Sequence, residues 1–189
     1  MIHRSFCTLA SVLLLGAAAL PAGAQTILPA QSEIGFVSKQ MGVPVEGRFK
    51  KWTAQISFDP KKPEAGKVSF SIDTGSASFG APETDAEVPK AAWFNAAKFP
   101  QASFQSTAIK PAGAGKFEVA GKLTIKGSVQ DVTVPVTLAS AAGGNGTATG
   151  AFTIRRLDFK IGEGEWADTS MVANEVQVKF KLALSGLPQ

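Results

Sequence analysis

The 189-residue sequence has very little of three chemically versatile residue types: one cysteine, one histidine and no tyrosine. Cys7 and His3 both lie near the N-terminus, in a segment that we expect to be removed. A chain without histidine cannot build a Ser-His-Asp triad, a Cys-His pair or the usual histidine-containing zinc sites. A chain without cysteine forms no disulfides, so its core alone must stabilise it. These absences exclude many classes of enzyme.

The first 24 residues, MIHRSFCTLASVLLLGAAALPAGA, predict a secretory signal peptide. A positive start at Arg4 precedes an apolar run over residues 9–20, and Ala22-Gly23-Ala24 supplies the small residues of a cleavage site. The run is too short to span a membrane. We therefore predict cleavage after Ala24, a periplasmic location and a single domain over residues 25–189. Loss of Arg4 lowers the formal net charge from +4 to +3.

Strand-like segments dominate the rest of the chain. In residues 115–126, GKFEVAGKLTIK, apolar and polar residues alternate, as in a strand with one apolar face. Comparable segments cover residues 32–38, 45–58, 68–72, 102–109, 132–138, 150–157 and 175–184. About eight strands at short spacing predict an all-β, antiparallel sandwich or barrel.

Two further segments have distinct signals. Residues 80–100 are rich in alanine and poor in β-branched residues, which favours short helices or an ordered loop. Lys126-Gly127-Ser128 predicts a tight hairpin turn between two strands.

Most of the phenylalanines lie on the apolar faces of the predicted strands. In a sandwich they fill a core; in a barrel of about eight strands they either fill the interior or surround one ligand. A ligand surrounded by such faces is apolar and long, because almost no polar group is available to orient a sugar or an amino acid. The residues alone leave both interpretations open.

Residues 84–106, TDAEVPKAAWFNAAKFPQASFQS, resemble the YceI-like family of exported lipid-binding proteins. That family typically shows an Arg-Asp-x-His-Leu stretch, a double aromatic, an aromatic-Pro pair and a strand ending Phe-x-Ser. The matching residues here are Asp85, Trp93-Phe94, Phe99-Pro100 and Phe104-Gln105-Ser106, while Thr84 and Glu87 replace the usual Arg and His.

The resemblance continues along essentially the whole predicted mature chain. VAGKLTIKGSVQDVTVPV, residues 119–136, looks like the family's Gly-x-Leu-Thr-Ile-x-Gly block. Arg156-Leu157-Asp158-Phe159 looks like its Arg-x-Asp-Phe block. The resemblance implies an extended lipocalin-like barrel of about eight antiparallel strands, with a short helical segment near residues 80–100.

The resemblance also implies a bound polyisoprenoid or similar long-chain amphiphile, such as a prenyl phosphate or an isoprenoid quinone. We predict a protein that sequesters or carries this lipid in an apolar tunnel, without catalysis, cofactor or metal. Trp93 and Phe94 are expected to line or gate the entrance. The predicted ligand-binding residues are Phe36, Phe58, Phe70, Ile72, Trp93, Phe94, Phe104, Phe117, Leu123, Ile125, Phe152, Ile154, Val178 and Phe180.

Two other classes of function are alternatives. The first is a structural or adhesive β-sandwich with a filled core. The second is an enzyme that uses a base other than histidine, for which no set of residues stands out. Basic residues do not cluster with stacking aromatics, so nucleic acid is not a predicted partner. A homodimer and transient contact with a membrane surface are left open.

Each cluster of charged residues has two interpretations: a binding site for an ion or a head group, or ordinary solvated surface charge. Arg48, Lys50 and Lys51, and the pair Arg155-Arg156, suit a pyrophosphate at a barrel mouth, or are ordinary surface charge. In an extended chain Glu83, Asp85 and Glu87 would present three carboxylates on one side. A second acidic set is Glu163, Glu165 and Asp168. Either acidic set suits a hard cation, but neither has EF-hand spacing, so solvated loops are the favoured interpretation.

Overall fold

The computed structural model describes residues 23–188, so the predicted signal peptide lies outside the described residues except for its last two. In chain order, the strands are β1 (Thr26–Ile27), β2 (Glu33–Gln40), β3 (Val43–Phe49), β4 (Trp52–Ser57), β5 (Lys67–Asp73), β6 (Ala77–Ser78), β7 (Gln101–Pro111), β8 (Lys116–Ile125), β9 (Ser128–Ala141), β10 (Asn145–Arg155) and β11 (Glu175–Ser185). Helix α1 (Pro82–Glu87) lies between β6 and β7. Within residues 23–188, no helix is long and apolar enough to cross a membrane.

The strands form one antiparallel sheet in the order β4-β5-β7-β8-β9-β10-β11-β2-β3-β6, with β1 paired to β11. The sheet curls so that its two ends approach each other. At one place the Gln25 N–H donates to the carbonyl of Ile56 in β4, at 2.8 Å. At the corner between β3 and β4, the Lys50 N–H donates to the backbone carbonyl of Ser76 at 3.0 Å. The Asp73 N–H donates to the backbone carbonyl of Lys51, also at 3.0 Å. The all-β, lipocalin-like barrel prediction is confirmed.

Alternation decides which face of each strand points inward. In β8, Phe117, Val119, Leu123 and Ile125 are buried while Lys116, Glu118 and Lys122 are exposed. Every residue of β8 has a partner on β9, from Lys116↔Thr137 to Ile125↔Ser128. A shift of this register by one residue would turn the apolar side chains toward water, so burial holds the register.

The predicted hairpin turn is confirmed: Lys126 and Gly127, with φ of 48° and 77°, join β8 directly to β9. Two left-handed residues in a two-residue turn match the twist of the flanking strands.

The described residues contain eleven strands where the sequence predicts about eight. Part of the difference is the run 45–58, read as one strand, which bends at Lys50-Lys51 into β3 and β4. The rest comes from β1 and β6, which have two residues each and are too short to show alternation. The predicted short helix near residues 80–100 is α1.

Two irregular segments meet the β8–β9 turn at one end of the barrel. We call residues 79–100 the cap segment and residues 156–174 the return loop. The N–H groups of Gly162 and Glu163 both donate to the carbonyl of Ala92, at 2.8 and 2.9 Å. The Trp93 and Trp166 rings lie 5.3 Å apart, centroid to centroid. The cap segment and the return loop therefore cover this end of the barrel together.

Candidate functional site

The inward faces of the strands enclose a cavity of about 210 Å³. Strands β2 to β5 and β7 to β11 contribute to its wall, and the cap segment contributes Phe79, Val88, Trp93 and Phe94. Almost all of the lining is aliphatic or aromatic; the polar residues in the wall are Ser38 and Arg156. Such a space excludes sugars and amino acids and suits a hydrocarbon chain.

All fourteen residues predicted to bind a ligand lie in the wall of this one cavity. That they touch a ligand stays a prediction. Seven are buried: Phe36, Phe58, Phe104, Phe117, Leu123, Ile125 and Ile154. Seven are half-buried and therefore have more freedom to change rotamer: Phe70, Ile72, Trp93, Phe94, Phe152, Val178 and Phe180.

The sequence prediction missed many other lining residues, which come from the same inward faces. Several of these residues, such as Val119, Val134 and Leu182, follow the alternation of their strands and could have been predicted from it. Alternation carries no signal for Phe79 and Val88, because they lie in the irregular cap segment.

Glycines on the inward face help to keep the interior open. Gly47 and Gly150 each pair with a phenylalanine on a neighbouring strand, Phe36 and Phe180 respectively. In both pairs the ring tip occupies the place where a glycine Cβ would stand; at Gly150 that Cβ would be 2.5 Å from Phe180 Cζ. The two rings lie flat against the wall above Gly47 and Gly150, and this position leaves the interior of the barrel open.

The Lys126 side chain binds the cap segment to the return loop. Its Nζ donates to the carbonyls of Ala91 and Lys160 at 2.9 and 2.7 Å, and to Glu163 Oε2 at 2.8 Å. The side chain is 4% exposed, so three acceptors replace the water that its ammonium group has lost. The hydrogen bond and the charge of Lys126 lower the pKa of Glu163. The turn lysine thus holds the cap segment against the return loop at this end of the barrel.

The basic pair Arg155-Arg156 does not form a joint anion site. Arg155 is exposed and its Nε lies 4.0 Å from Asp158 Oδ1, whereas Arg156 is 2% exposed. All five N–H groups of Arg156 donate to backbone carbonyls of the return loop. The acceptors are Ala173 (3.1 Å), Ile161 (2.8 Å), Gly162 (3.1 Å), Trp166 (2.7 Å) and Val172 (2.7 Å).

Arg156 therefore organises the return loop, and its guanidinium has no N–H group left to bind an anion. Burial lowers its pKa. The residue lies in the cavity wall, and no carboxylate among the described residues pairs with its guanidinium.

The other basic cluster points away from the cavity. Arg48, Lys50 and Lys51 are exposed, while Phe49 between them lines the interior. Lys50 Nζ lies 3.7 Å from Asp85 Oδ2 on the outer surface. The structure does not bring these cations to a shared site in the wall.

Glu83, Asp85 and Glu87 lie in α1, in the segment predicted to hold a short helix, so the shared side that an extended chain would give them does not form. Asp85 instead accepts from the Ser78 hydroxyl and the Phe79 N–H, both at 2.6 Å. These two bonds lower the pKa of Asp85.

The second acidic set, in the return loop, is also divided. Glu163 pairs with Lys126, and Asp168 accepts from the hydroxyl and the N–H of Ser170, which lowers the pKa of Asp168. Within residues 23–188, no three His, Cys, Asp or Glu side chains come together as metal ligands would. The structure therefore brings neither acidic set together as a group of three carboxylates.

A single curled antiparallel sheet around an apolar interior defines the class: a lipocalin-like barrel. The chain belongs to the YceI-like family, because the model of the YceI-like domain matches residues 25–184. The resemblance seen in the sequence is thereby confirmed.

Curated relatives agree with this assignment. A UPF0312 protein of Pseudomonas savastanoi pv. phaseolicola is 31% identical over 166 residues, which cover 79% of this chain and 84% of the relative. Protein YceI of Salmonella arizonae is 40% identical over 100 residues, which cover 53% of this chain and 50% of the relative.

Solved structures share the fold. BcnA of Burkholderia cenocepacia is 48% identical and superposes with a TM-score of 0.81, covering 84% of this chain and 99% of BcnA. A polyisoprenoid binding domain from Saccharophagus degradans, implicated in plant cell wall breakdown, has a TM-score of 0.68 over 87% of this chain and 98% of that domain. At 16% identity, this second likeness shows the fold alone.

Proposed function

We propose that this protein binds one long-chain isoprenoid lipid, a prenyl phosphate or an isoprenoid quinone, inside the barrel, and sequesters or carries it without catalysis. The observation that carries the proposal is the cavity of about 210 Å³ with an almost wholly apolar wall. The Saccharophagus degradans neighbour, named as a polyisoprenoid binding domain, supports it through the shared fold.

The driving force is the removal of the hydrocarbon chain from water. Each buried CH₂ group contributes about 0.8 kcal/mol before the costs of ordering the chain. An engineered apolar cavity of about 150 Å³ stays dry and binds benzene. A cavity of about 210 Å³ is therefore large enough for a segment of an isoprenoid chain. A longer chain needs the half-buried wall residues, such as Phe152 and Phe180, to change rotamer and widen the space.

Export is part of the proposal. The predicted signal peptide, residues 1–24, would deliver the single domain of residues 25–189 to the periplasm, where a lipid chain needs shelter from water between two membranes. Residues 1–22 lie outside the described part of the chain. Edman sequencing of protein purified from the periplasmic fraction tests this element: a mature N-terminus at Gln25 is expected, and an intact Met1 in the cytoplasmic fraction would contradict it.

The alternative of a structural β-sandwich with a filled core is not favoured. A sandwich has two packed sheets, whereas this chain forms one curled sheet. A filled core has no continuous space bounded by nine strands.

The proposal is tested by lipid extraction from protein purified from the exporting cell, with two matched variants. Ala148 lines the cavity and Ala151, on the same strand β10, is exposed. We expect wild type and Ala151→Phe to yield a stoichiometric isoprenoid lipid, and Ala148→Phe, whose ring fills the cavity, to yield little. Wild-type protein without lipid would contradict the proposal, as would equal lipid in the two variants.

A further inference from the structure

Strands β9 and β10 are paired over only part of their length. The ladder between them covers six residue pairs and ends at Gly150↔Val136. Beyond that pair, β9 continues with β8 as its partner and β10 continues with β11. In the described part of the chain, no ladder joins residues 129–135 of β9 to residues 151–155 of β10. We call the gap in the sheet between these two segments the slot.

Pro135 stands where β9 loses β10 as a neighbour. Proline has no N–H group to donate to a ladder, and in sheets it is found on edge strands or beside irregular pairing. The Pro135 carbonyl oxygen lies 2.6 Å from the place where a Cβ on Gly150 would stand, so the two strands are still close together at this level. The slot therefore begins at Pro135. Its other end is bounded by the turn Arg156–Phe159, which follows β10 directly and lies against β9.

The slot leads to the cavity. Val134 on one side of it, and Phe152 and Ile154 on the other side, line the cavity wall. Thr133 and Thr153, which alternate with these residues, are exposed. Five residues of β10 flank the slot. At about 3.3 Å for each residue, its length is about 17 Å. The slot is thus a long interruption of the sheet with cavity-lining residues along both sides.

The capped end of the barrel is tied by many hydrogen bonds. Lys126 donates to three acceptors there, and the Gly162 and Glu163 N–H groups both donate to the Ala92 carbonyl. Arg156 adds five bonds to carbonyls of the return loop. A lipid that entered between the cap segment and the return loop would have to break several of these bonds, and each broken bond costs free energy.

The opposite end of the barrel is also closed. The Leu187 N–H donates to the Gly144 carbonyl at 2.9 Å, and Leu187 is 5% exposed. The Gln25 side chain joins two segments here: its Nε2 donates to the Gly186 carbonyl at 3.2 Å, and its Oε1 accepts from the Phe58 N–H at 2.7 Å. Entry at this end breaks such bonds, whereas within residues 23–188 no ladder bond has to break for the slot to widen.

A second interruption of the ladder, between β4 and the other edge of the sheet, does not have this character. Of the β4 residues, Ile56 alone lines the cavity wall. The Ile56 carbonyl already accepts from the Gln25 N–H at 2.8 Å, and this bond closes the sheet where the cavity would be reached. The slot is therefore the interruption that offers a passage from the surface to the cavity.

We propose that the slot is a lateral portal: the isoprenoid chain enters and leaves the cavity between β9 and β10, and the Phe152 ring gates the passage. This inference rests on the proposed function and adds the route to it. Phe152 is half-buried, so its ring can move to another rotamer without breaking a hydrogen bond. Trp93 and Phe94 then line the capped end of the cavity rather than its entrance.

The portal is tested by tying its two sides together. Thr133→Cys with Thr153→Cys places one thiol on each side of the slot, at positions that would pair if the ladder continued in its register. Thr137→Cys with Thr149→Cys, a pair within the ladder, is the matched control. All four threonines are exposed. Each double variant also carries Cys7→Ser, which removes the one native cysteine, and is bridged with a short bifunctional maleimide.

The probes are ubiquinone with a long isoprenoid tail and geranylgeranyl diphosphate. Loaded protein is mixed with phosphatidylcholine vesicles, and the rate of transfer and the fraction bound at equilibrium are measured before and after bridging. We expect the bridge across the slot to slow transfer by about tenfold or more, because a modest rise in a barrier has that effect on a rate. The fraction bound at equilibrium is expected to stay the same, because a closed route slows entry and exit equally. The control bridge is expected to leave transfer within about twofold of wild type.

Equal transfer rates in the two bridged variants overturn the portal. Slower transfer that comes with an equal fall in the bound fraction also overturns it, because that result means a distorted cavity rather than a closed route. If wild type binds neither probe, the proposed function itself is overturned, so the two failures are distinguishable.

A second measurement tests the gate without any bridge. Phe152→Ala is compared with Phe70→Ala, because Phe70 is another half-buried phenylalanine of the cavity wall and lies on β5, away from the slot. Both variants lose ring contacts with the lipid, and such losses act mainly on the rate of release. We expect the rate of uptake to rise by about threefold or more in Phe152→Ala and to stay within about twofold of wild type in Phe70→Ala. Equal uptake rates in the two variants overturn the gating role of Phe152.

Discussion

Replacing Arg156 by methionine tests whether this buried cation holds the return loop together. Methionine keeps much of the apolar stem but removes five hydrogen bonds to backbone carbonyls of residues 161–173. The carbonyls then stay buried without a donor, or the loop opens to admit water.

The expected loss of folding stability in Arg156→Met is estimated from these five hydrogen bonds. A hydrogen bond to a charged group contributes about 1.5–3 kcal/mol, but the guanidinium has also lost its own hydration, which offsets much of the sum. A buried carbonyl left without a donor costs about 1–3 kcal/mol, and opening of the loop to water limits the sum over five carbonyls, so we expect a total cost of about 3–5 kcal/mol. For a domain of this size we therefore expect the midpoint of thermal unfolding to fall by roughly 6–20 °C.

Arg155→Met is the matched control, because Arg155 is the adjacent arginine and is exposed. Its cost is expected to stay within about 0.5 kcal/mol. Thermal and urea unfolding are measured on both variants together with lipid content. If Arg156→Met is as stable as Arg155→Met but retains no lipid, then Arg156 is a ligand contact and the loop-organising role is refuted.

Three further predictions concern the wall and the cap segment. Phe117→Asp places a carboxylate in the apolar wall, so lipid retention is lost while the protein stays soluble; lipid content equal to wild type would argue against a tunnel at this position. Gly47→Ala pushes the Phe36 ring off the wall into the cavity, which costs about 1–3 kcal/mol in unfolding experiments and lowers lipid affinity; unchanged affinity would show that the ring has another place to go. Because hydrogen bonds lower the pKa of Asp85 in the folded state, its stabilising effect is complete at neutral pH and is lost as the pH falls through and below the ordinary carboxyl range. Urea unfolding from pH 7 to pH 3 checks this: Asp85→Asn should lose less stability on acidification than wild type, and parallel curves would refute it.

Much of the barrel is predictable because alternation reports directly on burial. The apolar set of β8 and the turn at Lys126-Gly127 could be read from the sequence, since each depends on local backbone preferences. The same alternation placed twelve of the fourteen predicted residues in one cavity wall, whereas Trp93 and Phe94 come from the irregular cap segment. The bend at Lys50-Lys51 was not predicted, because it depends on bonds to Ser76 and Asp73, which lie far along the chain.

The polar organisation of the capped end could not be predicted. Arg156 and Lys126 are charged residues that sequence reasoning assigns to the surface, yet both are buried among carbonyls supplied by the cap segment and the return loop. Nothing in the sequence shows that the indole nitrogen of Trp93 is buried without a hydrogen-bond partner among residues 23–188. Such features depend on how irregular segments pack, for which the sequence has no periodic signal.

Native mass spectrometry tests the central claim most directly. Protein is stripped of lipid, incubated separately with isoprenoid quinones and with prenyl phosphates, and sprayed under conditions that preserve complexes. We predict a mass increase equal to one lipid molecule per chain, and loss of that increase in Ala148→Phe but not in Ala151→Phe. A bare polypeptide mass for wild type after incubation with every one of these lipids would contradict the account and would mean that the apolar wall is only a core.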